Sequence, residues 1–212
     1  MVYNYIFDQK KLDIDFEGDD DYWITGKCGS RFRYSGSNPP YLLNPSCTHP
    51  TFAAELSQVL WRLARVWVGD ARSLEATMLH DTFGTPTTPL DHICHLTVEI
   101  SNECAEDAIS EDGNESWVHS TAMRENLNAG VAVIDTLFAS NTLKKLNIII
   151  WGSRPVNLRT FEKVLLPAIH QLTGKGVEIH VSDYFGYGWI GELSIWPNPL
   201  FREWGNRIIG LS

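Results

Sequence analysis

The sequence predicts an α/β protein: a short parallel β-α-β-α-β sheet covered by helices, extended at its amino end by an antiparallel β meander. Three observations predict it. Short alternating segments separated by Gly and Pro fill the first 40 residues. After residue 90, apolar segments of strand length alternate with apolar stripes at helical period. Of 212 residues, 43% are apolar and 20% charged, enough for a packed core and too few charges for a chain that stays unfolded. A domain of this length buries about 70% of its unfolded surface and needs no disulfide or metal to be stable. One domain spanning 1–212 is expected.

Leu12, Ile14 and Phe16 alternate with Asp13, Asp15 and Glu17, the period-two pattern of a half-buried strand. Tyr22–Thr25 and Arg31–Tyr34 continue in the same style, broken by Gly26, Gly29 and Gly36-Ser37-Asn38-Pro39-Pro40, so residues 1–40 read as the meander. The segment 48–80 reads as helical. Phe52, Leu56, Val59, Leu60, Leu63, Ala64 and Trp67 form one apolar stripe at helical period. Thr48 or Thr51 can cap its start, and Gly69 or the Phe83-Gly84-Thr85-Pro86 turn can end it.

The β-α-β-α-β unit is placed at 92–182. His95–Ser101 is a strand with Leu96, Val98 and Ile100 on one face, and Ser116–Ala139 is a helix striped by Trp117, Met123, Leu127, Val131, Ile134 and Phe138. Leu146–Trp151 is apolar on both faces, which predicts a strand covered on both sides. Leu158–Leu172 is a second helix, capped by Asn157, kinked at Pro167 and closed by Gly174 and Gly176. Val177–Val181 is the third strand. Strands joined by helical crossovers run parallel with right-handed connections. Residues 183–212 are an aromatic-rich segment, from Tyr184-Phe185-Gly186-Tyr187-Gly188-Trp189 through Trp196-Pro197-Asn198-Pro199 to an amphipathic tail, Phe201–Ile209.

Seventeen Lys and Arg face 26 acids, for a net charge of −9. That balance argues against direct binding of nucleic acid or of an anionic membrane, whose affinity comes from neutralising phosphates. No apolar run approaches the 18 or so residues of a membrane span, and Met1–Lys10 has no apolar stretch of a secretory leader. Cys28, Cys47, Cys94 and Cys104 form no C-x-x-C pair, so free thiols in the cytoplasm or nucleus are expected. Acids concentrate in Asp8–Asp21 and in Glu99–Glu115, where seven acids stand with no basic residue.

Motifs for chemistry are sparse. Asp91-His92-Ile93-Cys94-His95 is dense in ligands, but on a strand His95 points away from His92 and Cys94, and zinc spacing is missing. Asp13–Gly18 matches half a calcium loop, yet Ile24 stands where a bidentate carboxylate belongs. Gly186-x-Gly188-x-x-Gly191 precedes Glu192–Pro197 rather than a helix, so the pyrophosphate cradle fails. Gly152-Ser153-Arg154 is too short for a nucleophile motif. No metal and no cofactor are expected. Two positional arguments remain. Ligands of open parallel sheets bind beyond the carboxyl ends of the strands, where Glu103, Arg154, Asp183 and Tyr184 would gather. In the aromatic segment, Tyr184, Tyr187, Trp189 and Trp196 sit among turn formers that are hard to bury, as residues of a protein-binding patch do.

One resemblance covers a little under half the chain. The strand His92-Ile93-Cys94-His95-Leu96-Thr97-Val98-Glu99-Ile100 is followed by an acidic loop and a helix, and then by Leu143-Lys144-Lys145-Leu146-Asn147-Ile148-Ile149-Ile150. The helix Val164–Leu172 and the strand Gly176-Val177-Glu178-Ile179-His180-Val181 complete the pattern. It resembles fungal hypothetical proteins related to F-box proteins. The Leu-Pro-rich helical segment of an F-box is missing from the amino end, so the resemblance implies an α/β interaction module and carries no catalytic residues. The expected function is therefore a non-enzymatic intracellular protein-protein interaction module, an adaptor or subunit whose acidic face meets a basic partner. The alternative is a small-molecule-binding protein or enzyme that uses the strand-end crevice.

Overall fold

In the computed structural model, residues 12–17, 21–25, 31–35, 38–101, 128, 130–132, 134–152 and 165–185 are described. Seven strands, β1 Asp13–Glu17, β2 Asp21–Thr25, β3 Arg31–Ser35, β4 Arg65–Val68, β5 His95–Ser101, β6 Lys145–Gly152 and β7 Glu178–Phe185, join in one sheet. Their order is β3-β2-β1-β4-β5-β6-β7. The first three strands pair antiparallel. From β1 onward, β4, β5, β6 and β7 each add in parallel. The α/β class, the meander and the parallel β5-β6-β7 unit are as the sequence predicts.

Strand β4 is a correction. The stripe from Phe52 to Trp67 predicts an unbroken helix, but the helix, α1, spans Pro50–Leu63 and Arg65-Val66-Trp67-Val68 is extended. These four residues alternate, with Val66 and Val68 buried, and they slot between β1 and β5, where ladder pairing outweighs the helical period. The start of α1 also differs. Its cap is His49, whose Nδ1 accepts from the Thr51 amide at 3.3 Å, with Pro50 at the first helical position. The Thr48 hydroxyl instead bonds back to the Asn44 carbonyl at 3.2 Å.

After β4 come α2, Leu74–Leu79, and the 3-10 turn Pro89–Asp91. Residues 128, 130–132 and 134–138 are helical (α3), inside the expected 116–139. Helix α4 is described from Leu166 to Gly174. Pro167 sits in its first turn, where the missing amide has no intrahelical partner to lose; Asn157 and residues 158–164 of the expected helix lie outside the described residues. Gly176 follows the helix at φ +85°, a conformation glycine adopts without strain.

One face of the sheet holds the core. Two apolar rows cross it in register: Ile24-Ile14-Val66-Leu96-Leu146-Ile179, and Tyr34-Tyr22-Phe16-Val68-Val98-Ile148-Val181. Leu56, Leu60 and Trp61 of α1, Leu74 and Met78 of α2, Ile134 and Leu137 of α3, and Ile169 and Leu172 of α4 belong to the same buried cluster as these rows. Parallel strands added in chain order by right-handed crossovers put every crossover on one face. Under the antiparallel end, Trp61 stacks on Phe83 (5.0 Å) and Phe16 (6.2 Å), while Phe83 meets Tyr22 edge-on at 5.6 Å.

Candidate functional site

The opposite face is polar, because each residue there lies one position along its strand from an apolar-row residue. Two rows cross it. The first is Arg31-Thr25-Asp13-Arg65-His95-Lys145-Glu178, and the second is Arg33-Trp23-Asp15-Trp67-Thr97-Asn147-His180. Ile149 lies on this side too: it is buried, yet it stands outside the core cluster.

Ion pairs tie the rows together. Arg65 grips Asp13 with two hydrogen bonds, 2.7 Å and 2.9 Å. Arg31 reaches Asp15 at 3.1 Å and Arg33 reaches Asp21 at 2.5 Å. Lys145 and His180 both meet Glu178, at 3.3 Å and 2.5 Å, and hold its carboxyl below the usual carboxylate range, the His180 contact most strongly. With the Arg65 side chain 65% exposed, its pair with Asp13 stabilises by about 0–1 kcal/mol and sets geometry more than stability. Asp13, Asp15 and Asp21 of the first acidic stretch are thus matched by arginines.

Between the pairs stand aromatic and amide groups. Trp23 lies under two guanidiniums, with Arg31 at 4.6 Å and Arg33 at 5.9 Å from its ring centroid, contacts worth about 0.5–1 kcal/mol at exposed sites. Its indole N–H is buried and has no hydrogen-bond partner among the described residues. The Trp67 indole donates to Glu99 Oε1 at 3.0 Å, and Asn147 donates to Thr97 Oγ1 at 3.1 Å. Half-burial pushes the Glu99 carboxyl up, against the opposing pull of the Trp67 hydrogen bond. Arginines flanking indoles, with amide and hydroxyl groups alongside, are the groups that protein contact surfaces use.

Only part of the sequence-predicted sites can be placed. Asp183 and Tyr184 lie at the carboxyl end of β7, in register with Ile150 and Trp151 of β6. Glu103, Arg154, Tyr187, Trp189 and Trp196 lie outside the described residues. A crevice of the kind the sequence suggests forms where the order of parallel strands reverses. In the described sheet β2 and β3 add antiparallel on one side of β1 and β4 to β7 in parallel on the other, so strand addition changes direction between β1 and β4, away from Asp183 and Tyr184 on β7.

Among the described residues, no group of three or more His, Cys, Asp or Glu stands close enough to hold a metal ion. His92 instead meets Arg62 at 3.4 Å, and Cys94 is half-buried with its thiol 3.7 Å from the His92 carbonyl. No described helix is long and apolar enough to cross a membrane.

Trp23, Trp67, Asn147 and the row Arg65-His95-Lys145 are functional candidates that sequence reasoning missed. The signal for Trp67 was its place between two valines in an alternating four-residue run. The signal for the rest was register, which only pairing reveals. Comparison with protein-family models, with curated proteins and with solved structures finds no match for this chain.

Proposed function

We propose that this protein is a non-enzymatic protein-protein interaction module, an adaptor or subunit that binds its partner through the polar face of the sheet. The observation that carries this reading is the row in which Trp23 and Trp67 flank Asp15 on neighbouring strands. Both indoles are half-buried on the face away from the core cluster. Tryptophan and arginine are the residues most often found as interface anchors, and indoles two strands apart, about 10 Å, suit one bound segment. Pairing of Asp13, Asp15 and Asp21 with arginines lowers the net charge they present, so the fit to a basic partner falls to Glu99 and the acidic stretch after it. Cys47 and Cys94 are free thiols, which supports work in the reducing cytoplasm or nucleus.

The test compares full-length variants as bait in a native lysate. Trp67→Ala is expected to lose the captured partner, whereas Glu75→Ala, an exposed change on α2, keeps it. Equal capture by both variants would remove the reading. A melting curve of Trp67→Ala close to that of the parent shows that the loss is one of contact and not of fold.

A further inference from the structure

The amino ends of the parallel strands carry a concentration of basic groups that runs against the chain's net charge of −9. Arg65, His95 and Lys145 are in register on three adjacent strands, about 4.8 Å apart across the sheet. Just before those strands come Arg62 in the last turn of α1, His92 after the Pro89–Asp91 turn, and Lys144, whose amide is bonded to the Cys94 carbonyl at 2.9 Å.

The acids at this edge are already engaged. Asp13 is held by Arg65, Glu178 by Lys145 and His180, and Asp91 accepts from the Thr88 hydroxyl at 2.6 Å. Arg62 and Lys144 are exposed, and neither has a carboxylate partner among the described residues. The imidazoles report the crowding. Burial lowers the pKa of His92 and of His95, and neighbouring cations lower both further: Arg62 at His92, and Lys145, Lys144 and Arg65 at His95. The opposing acids, Asp91 at His92 and Glu178 at His95, are the weaker influence at each.

We infer that this edge docks an acidic protein segment, whose carboxylates pair with Arg62 and Lys144 and lie over His92 and His95. The inference rests on the interaction-module reading and names the chemistry of one partner segment. An acidic peptide is favoured over nucleic acid for two reasons. The strip spans three strands, about 10 Å between its outer members, which is short for a duplex backbone. Its cations without a carboxylate partner among the described residues, Arg62 and Lys144, are also too few for a continuous run of phosphates and match a few carboxylates.

The experiment titrates the full-length protein into a fluorescein-labelled peptide of alternating Glu and Ser, reading anisotropy at low and at high salt. Binding is expected at low salt and weakens as salt rises. The double variant Arg62→Ser, Lys144→Ser is expected to bind at least about threefold more weakly, since each lost pair between exposed charges accounts for a factor of up to about five. Proton NMR of the histidines is expected to show the pKa of His92 and His95 rising when the peptide binds, because its carboxylates offset the cations. Three results overturn the inference: no binding at low salt, equal binding by parent and double variant, or tighter binding of a duplex RNA than of the peptide. Partner capture that still depends on Trp67 in any of these cases leaves the proposed function standing.

Discussion

On the core side of the sheet, the row from Tyr34 to Val181 crosses seven strands with the Tyr22 hydroxyl as its one buried polar atom lacking a partner. On the other side, one residue along each strand, the row from Arg33 to His180 holds two indoles, a carboxylate, an amide and an imidazole. The first row is stabilised by removing apolar area from water, at roughly 25 cal/mol per Å². The second is held by ion pairs and hydrogen bonds that each contribute little against water. Stability is therefore concentrated on one face, leaving the other free to vary its chemistry without unfolding the chain. A parallel sheet is usually apolar on both faces. A polar second face is the departure that directs attention there.

The comparison can be broken by substitutions that contrast the faces. The largest effect is expected for Trp61→Ala, which empties the stack between Phe16 and Phe83. It should cost about 3–5 kcal/mol in denaturant unfolding, as large-to-small changes of buried aromatics do. A loss under about 1 kcal/mol would mean that the aromatic cluster is loosely packed. Gly130→Val comes next. A β-carbon at Gly130 would fall 2.6 Å from Ile100 Cδ1 and 3.4 Å from Leu165 Cδ2, so a side chain there requires the buried end of Ile100 to shift. Overpacking there should cost about 1–3 kcal/mol, read as a lower denaturant midpoint at unchanged slope.

The smallest change is expected on the polar face, with Glu99→Gln. The folded carboxyl of Glu99 has its pKa raised by burial, so the fold holds that proton more tightly than the unfolded chain does. Its contribution is full below the unfolded pKa and is lost as pH rises through the folded one. At neutral pH the charged Glu99 is then a cost, which glutamine removes while keeping an oxygen for Trp67. Melting temperatures should favour the variant slightly at pH 7, and the gap should close below the ordinary carboxylate range. A gap that widens on acidification would reverse the assigned shift.

Particular residues show how far the sequence could be read. The alternation of Leu12–Glu17 and of His95–Ser101 marked β1 and β5 and told which residues would be buried, because a strand facing a core repeats every two positions. Leu56 and Leu60 were legible as part of a buried stripe for the same reason at helical period. Trp67 was not, since it continues that stripe in the sequence and leaves it in space. Four residues of extended chain carry too weak a local preference to decide between helix and strand until β1 and β5 offer ladder partners.

The polar face was less legible still. Asp13, Asp15 and Asp21 read as an acidic patch, but Arg65, Arg31 and Arg33 approach them only once the strands are paired. The separation of 52 positions from Asp13 to Arg65 hides their contact from any local pattern. By itself the sequence determined the α/β class, the two periodicities and the residues that must leave water, since burial is set by spacing along the chain. Tertiary structure alone decided the strand order, the insertion of β4 and the meeting of Trp23, Trp67 and the basic edge, since those depend on which strands pair, a choice made between segments far apart in the chain.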